Sequence, residues 1–299
     1  MNNPFELTFG LKPSNYISRL KQSEEIISNF KSSTGNKLFI ITVVRGTGKT
    51  VMLSHISKYF ESEKNWIVIE LIPECYFTNW SIIRKNKKSG KEVLIAVDEV
   101  SNNDYVKTFT QAFQLLIRKE YPIHLLMTGL YQNIYELQND KDLTFLYRAP
   151  KISLEPLNIA AITNSYRELL NITKDEALLL AKETKGYAYA YQVLGYLVFE
   201  RNDSKLDDNL YAKYDQYLEE YVYEKMYSEL SSNDKRILKA FTSDGTNNVG
   251  DLLEKSNMKK NVFSVYRDRL IKRGIIETPE YGKLSLKLPR FYEFLERQI

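Results

Sequence analysis

The chain has 299 residues, 43% of them hydrophobic, with 42 Lys/Arg against 38 Asp/Glu for a formal net charge of +4. A single cysteine, Cys75, excludes an intramolecular disulfide, and two histidines, His55 and His124, supply too few ligands for a protein-built zinc site. No run approaches the ~18 apolar residues of a membrane span, and the opening Met-Asn-Asn-Pro-Phe-Glu lacks a basic stretch leading into an apolar one, so a cytoplasmic, reducing setting with no membrane partner is expected.

The length suits about two domains. From Ser228 onward there are 14 Lys/Arg and 10 Asp/Glu, whereas the preceding 227 residues carry 28 of each. The whole positive excess therefore sits in the last quarter, which points to a nucleic-acid-facing module there.

In chain order, Lys37–Val44 reads as a first strand and 48–62 as a helix. Between them runs Arg45-Gly-Thr-Gly-Lys-Thr50. A strand that breaks into a Gly-rich turn ending in Lys-Thr, then a helix, is a phosphate cradle. Turn N–H groups and the helix N-terminus face the anion, Lys49 adds a point charge, and Thr50 offers a hydroxyl to Mg²⁺. The expected nucleotide contacts are Arg45, Gly46, Thr47, Gly48, Lys49, Thr50 and Val51. The usual G-x-x-x-x-G-K-[ST] spacing calls for Gly where this chain has Val43. A β-branched residue resists positive φ. If the turn needs Gly there, the chain becomes a weak or inactive regulatory scaffold; if Val43 extends the strand, the loop closes normally.

A second strand is expected at Trp66–Ile72, a helix at 78–89 and a third strand at Glu92–Val97. The apolar run Val93–Val97 ends in Asp98-Glu99, which sets Asp98 at a strand tip to share a metal with Thr50 and leaves Glu99 to activate water. A helix at 104–119 leads to a strand at Ile123–Thr128 and a helix at 130–138. Thr128 is either a sensor of the terminal phosphate or the N-cap of that helix. Asn139-Asp-Lys-Asp142 is a scrambled echo of a guanine-reading motif in a loop, so ATP is favoured over GTP. No acceptor pocket for a small-molecule kinase is evident. Arg148 precedes a last strand, Lys151–Leu154, and is either a catalytic arginine reaching phosphates in cis or in a neighbouring subunit, or a solvated loop residue. Alternating strands and helices make residues 1–157 an α/β domain: a parallel sheet flanked by helices, with its ligand at the strands' carboxyl ends.

Residues 158–200 read as a helical lid, with a Thr173–Glu176 capping box and Lys185-Gly-Tyr187 as a candidate nucleotide contact. Residues 201–230 hold a polar linker (201–209) and a helix with Tyr211, Tyr214, Tyr217, Tyr221 and Tyr223, a packing stripe or, alternatively, a base-stacking one. Residues 231–299 give a helix from Ser231 to Phe241, helices at Val249–Glu254 and Lys260–Lys272, and a β-hairpin: the winged helix-turn-helix layout.

Gly46-Thr-Gly-Lys-Thr50, Ala96-Val-Asp-Glu99, Leu126-Met-Thr-Gly129 and this C-terminal layout together resemble the prokaryotic AAA-type P-loop ATPases related to archaeal replication-initiator and signal-transduction ATPases. Phe9-Gly-Leu-Lys-Pro13 and Tyr16-Ile-Ser-Arg19 resemble that family's adenine-contacting N-terminal box, Thr184-Lys-Gly-Tyr187 its lid motif, and Leu288-Pro-Arg-Phe291 the segment after its wing. The resemblance implies ATP and Mg²⁺ as ligands. Lys49 and Thr50 would bind phosphate and metal, Asp98 would serve the metal, Glu99 hydrolysis, and Thr128 would be the sensor. The short segment between the second and third strands departs from the family, as does Val43. The expected function is a Mg²⁺-dependent ATPase acting as a nucleotide-driven switch. Its winged helix would bind double-stranded DNA or a protein partner, with Lys259, Lys260, Arg267, Arg269, Lys272, Arg273, Lys283, Lys287 and Arg290 as the cationic surface.

Overall fold

The computed structural model describes residues 2–7, 15–71 and 90–298. Cys75, Ile72, the expected helix at 78–89 and the Phe9–Pro13 stretch lie outside the described residues.

Apolar side chains on both sides of each central strand build a sheet covered on both faces. Strands β1 (Leu38–Val43), β2 (Trp66–Leu71), β3 (Glu92–Val97), β4 (Ile123–Leu130) and β5 (Lys151–Ser153) run parallel in the order β2-β3-β4-β1-β5. Phe39, Ile41, Leu94, Ala96 and Leu126 share one core with Ile26 and Phe30 of α1 (Leu20–Lys31) and with Met52, Leu53, Ile56 and Phe60 of α2 (Lys49–Glu61). Their neighbours in sequence, Leu38, Ile40, Val93, Ile95, Leu125 and Met127, join Val106, Phe109 and Phe113 of α3 (Asp104–Arg118) and Ile134 and Leu137 of α4 (Tyr131–Gln138) in another. Burial on both faces explains the continuous apolar runs. Helix α1 has no counterpart in the sequence reading. A 3-10 segment, Lys141–Arg148, precedes β5.

The strand order matters for the site. β4 lies between β1 and β3, so Thr128 stands between the carboxyl end of β1, whose following turn leads to Thr50, and that of β3, which Asp98 follows directly.

The segment expected to form a lid, called the lid below, consists of α5 (Ile159–Leu170), α6 (Lys174–Glu183) and α7 (Ala188–Arg201), with the Thr173–Glu176 capping box in place. After an irregular 202–207 segment come α8 (Asp208–Leu218), a π-helical turn (Glu219–Tyr223) and α9 (Glu224–Ser228). Tyr214 and Tyr223 are fully buried, so for these two the stripe is packing rather than base stacking. The remaining elements are α10 (Ser232–Lys239), β6 (Asn247–Asn248), α11 (Val249–Ser256), α12 (Lys260–Lys272), β7 (Ile276–Glu277), β8 (Lys283–Leu286) and α13 (Phe291–Glu296). The hairpin gains a third strand, giving antiparallel order β6-β8-β7. One continuous apolar core joins Phe5, the lid, α8 and this C-terminal unit.

Several cations proposed from sequence as a nucleic-acid surface are engaged inside the protein. Arg269 forms a pair with Asp234, which is fully buried and also closes a capping box with Ser231. Arg290 grips Asp215 with two nitrogens, at 2.8 and 2.9 Å, and also pairs with Glu293. Arg273 donates to Gln132, Arg267 pairs with Asp268 and Lys283 with Glu280. Lys259, Lys260, Lys272 and Lys287 have no carboxylate partner among the described residues.

Asp234→Ala should lower the free energy of denaturant unfolding by about 2–3 kcal/mol, because it removes a helix cap and leaves the half-exposed Arg269 unpaired. A loss below about 0.5 kcal/mol, ordinary for a surface change, contradicts that buried pair.

Candidate functional site

The turn after β1 decides the site. Val43 is the last residue of the strand, paired with Leu130, and positive φ begins only at Gly46 (+79°) and Gly48 (+90°). The position where the usual spacing has Gly therefore needs no left-handed backbone, and Val is tolerated. A Cβ at Gly46 would lie 2.1 Å from the Tyr187 hydroxyl oxygen, so that position is sterically closed to other residues.

The carbonyls of the turn are each held from outside it. The Tyr187 hydroxyl donates to Arg45 O, the Tyr189 N–H to Gly46 O at 3.0 Å, and Arg19 Nη2 to Thr47 O at 2.8 Å. The Thr47 hydroxyl closes the turn onto Val44 O at 2.8 Å. With the carbonyls fixed this way, the N–H groups of Gly46, Gly48, Lys49 and Thr50 have no acceptor among the described residues. Together with the start of α2 they form a nest for an anion.

Acidic groups converge on the same place. Asp98 accepts the Thr50 hydroxyl at 2.6 Å, the Thr128 hydroxyl, and the Glu99 N–H at 3.0 Å. Thr128 is fully buried, and its oxygen also accepts the Glu99 N–H at 3.3 Å. Its alternative role as an N-cap is corrected here: β4 continues to Leu130, which occupies the cap of α4 and makes no side-chain cap bond. Glu99 takes a left-handed backbone (φ +55°), and its carboxylate receives Lys49 Nζ at 2.6 Å. The Glu99 side chain is 62% exposed, which makes this pair weak and readily exchanged.

The donor set suits a hard cation on a polyphosphate. Thr50 and Asp98 offer adjacent oxygens, and among the described residues no cluster of three or more His, Cys, Asp or Glu could hold a metal unaided. Mg²⁺ characteristically takes one or two protein oxygens and completes its shell with phosphate and water. A cleft of about 830 Å³ opens beside this cluster, of a size for a nucleotide. Tyr16, Ile17 and Arg19 line it from one side, Leu157 from just before the lid, and Ala188 and Gln192 from the lid.

Other residues nominated from sequence lie apart. Arg148 is exposed on the 3-10 segment and does not line the cleft. Lys185 bonds to Asp244 and to the Leu286 carbonyl, so it serves the C-terminal unit instead of the cleft. Tyr187 touches the turn's backbone through its hydroxyl. Burial pushes that phenol far above its ordinary pKa, which keeps it a hydrogen-bond donor. Burial likewise lowers the Arg19 guanidinium to about 10, so it stays charged at neutral pH. The holding roles of Arg19 and Tyr189 were not read from sequence, since each depends on a contact across a large stretch of chain.

A family model described as "Domain of unknown function (DUF8462)" matches residues 220–295. Among solved structures, the chain is similar to a Walker-type ATPase of Pyrococcus abyssi, with TM-score 0.68, 11% identity, and 94% of this chain and 96% of that one covered. It is also similar to the ORC2 protein of Aeropyrum pernix in its ADPNP–ADP complexes, with TM-score 0.62, 11% identity, and 97% and 96% covered. A third likeness is to Cdc6p of Pyrobaculum aerophilum, with TM-score 0.51, 14% identity, and 97% and 96% covered. At these identities the likeness is one of fold: the parallel sheet flanked by helices of P-loop ATPases.

Tyr187→Phe removes one of the three outside holds on the turn. A fluorescent ATP analogue should bind about 2- to 10-fold more weakly, the worth of one net hydrogen bond. Unchanged affinity in a folded variant argues that the other two holds suffice.

Proposed function

We propose that this chain is an ATP-binding switch with Mg²⁺-dependent ATPase activity. The observation that carries the reading is the contact between the Thr50 hydroxyl and the Asp98 carboxylate beside a turn whose carbonyls are turned away. On this reading Arg45 to Val51, with Thr128, form the nucleotide contacts. Lys49 neutralises the terminal phosphates after leaving Glu99. Thr50 and Asp98 would hold Mg²⁺, which when bound supplies positive charge against the phosphate oxygens. Glu99, freed from Lys49, orients and deprotonates the attacking water. Thr128 fixes Asp98 and the Glu99 backbone through one hydroxyl. Arg148, being exposed, suits a role toward a neighbouring subunit better than one in its own cleft.

We divide the chain as a nucleotide-binding domain (1–157), a lid (158–200), a connecting helical stretch (201–230) and a winged-helix unit (231–299). Three helices with a three-stranded antiparallel sheet support the last assignment. Its partner is double-stranded DNA or a protein. For DNA, Lys259, Lys260, Lys272 and Lys287 have no carboxylate partner among the described residues, and Arg267 and Lys283 sit in exposed pairs that exchange readily, a smaller set than the sequence suggests. The scaffold alternative rests on Val43, and the extended strand backbone at that residue supports the ATPase reading over it.

Lys49→Ala should abolish ATP binding in calorimetry. Glu99→Gln should retain binding while single-turnover hydrolysis slows by about 10²-fold or more. Hydrolysis at the natural rate in Glu99→Gln sinks the role given to that carboxylate. Duplex binding, measured across a salt series, should weaken as salt rises with a slope near that of about six phosphate contacts or fewer. A salt-independent affinity removes DNA in favour of a protein partner.

A further inference from the structure

A second, smaller cavity of about 90 Å³ lies where the turn after β1, the chain after β5, the lid turn at 185–187 and the C-terminal unit meet. Its charge is one-sided. Arg19, Lys185, Lys272, Arg273 and Lys287 line it, against one carboxylate, Glu155. Lys185 is neutralised by Asp244 at 2.7 Å. Arg19 directs its bonds to two carbonyls, those of Glu155 and Thr47, and has no acidic partner among the described residues. Lys272 and Lys287 have none either.

Arg273 supplies a second, independent observation. Its Nη2 donates to Gln132 at 2.8 Å, but its Nε–H is buried without a partner. A buried donor left unmade costs about 1–3 kcal/mol. Burial also pulls the Arg273 guanidinium below its ordinary range. Asp234 and Glu229 offset part of the Arg273 charge from a distance and Arg269 opposes them, but neither acid pairs with it, and gathering such cations around a half-enclosed space is unfavourable unless an anion joins them. The space holds several water molecules, which is room for a tetrahedral oxyanion but not for a nucleoside.

We infer that this cavity binds a phosphate group, held by Arg273, Lys272 and Lys287. The site is distinct from the cradle at Lys49 and does not depend on the nucleotide reading. Arg19 lines both spaces and bonds to Thr47 O, so a phosphate here touches the residue that holds the nucleotide turn. The group has two sources, free phosphate or the phosphodiester backbone of a nucleic acid.

The test is calorimetric titration of the full chain with inorganic phosphate at low ionic strength. A Lys49→Ala background silences the cradle. Phosphate binding should survive Lys49→Ala. Adding Lys272→Gln and Lys287→Gln, neither of which has a carboxylate partner among the described residues, should weaken it about tenfold or more, the worth of a charge-assisted hydrogen bond. An unchanged melting temperature of the triple variant verifies folding. No binding in Lys49→Ala, or equal affinity in the folded triple variant, overturns the site. A short duplex and its single strand, added as competitors, separate the sources. Displacement of phosphate assigns the site to a nucleic-acid backbone, and its absence assigns it to free phosphate. Failure of ATP binding with phosphate binding intact would leave this site standing while removing the function proposed above.

Discussion

The site depends on which way five peptide units face. An anion cradle needs N–H groups turned inward, so the carbonyls of the same units must turn outward and find partners there. Glycine at 46 and 48 permits the left-handed steps, but permission is not stabilisation. The stabilising partners come from far along the chain: Arg19 before the sheet, Tyr187 and Tyr189 from the lid. The turn is thus held by the lid as much as by the strand and helix that flank it. The same logic explains Val43. A turn whose bend is placed after residue 45 and fixed from outside has no need of a flexible residue at the strand's last position.

Much of the sheet was legible because its signals are local. Five parallel strands follow from apolar runs, and β3 and α12 have the bounds that the pattern gives. Acid at the tip of β3 and Thr after Lys49 likewise meet as their strand ends demand. The misses are non-local. Among the described side chains, helix α1 buries Ile26 and Phe30 as its large apolar residues within a polar segment that precedes the strand–helix alternation. β6 is two residues long and exists only because β8 pairs with it. Thr128 looked equally like a cap or a sensor until β4 was seen to run two residues beyond it, carrying its hydroxyl to Asp98.

Charge misled for the same reason. Arg269 and Arg290 stand in a basic stretch and read as solvent-facing, yet each answers a carboxylate from a distant helix, Asp234 and Asp215. Composition counts cations, and only packing says which are already matched. Of the C-terminal cations named from sequence, Lys272, Lys287 and Arg273, whose Nε–H is buried and unmatched, line the seam cavity, while Lys259 and Lys260 stand at the other end of α12.

That seam also bears on how a nucleotide signal could travel. The lid and the C-terminal unit share one apolar core, so they resist moving independently. Both meet the turn: the lid through Tyr187 and Tyr189, and the C-terminal unit through Gly274, where an added Cβ would come within 2.6 Å of Val44; Glu229 of the connecting stretch adds a contact to Arg45 at 3.8 Å. A ligand shifts such a body only by the difference in its affinity for two arrangements. The Lys49–Glu99 pair, open to solvent on its Glu99 side, keeps that difference available, because a phosphate contact can replace the carboxylate at the mostly buried Lys49. On the proposed reading, binding energy goes into reorienting the turn and the core it supports, and not into breaking a strong internal bond.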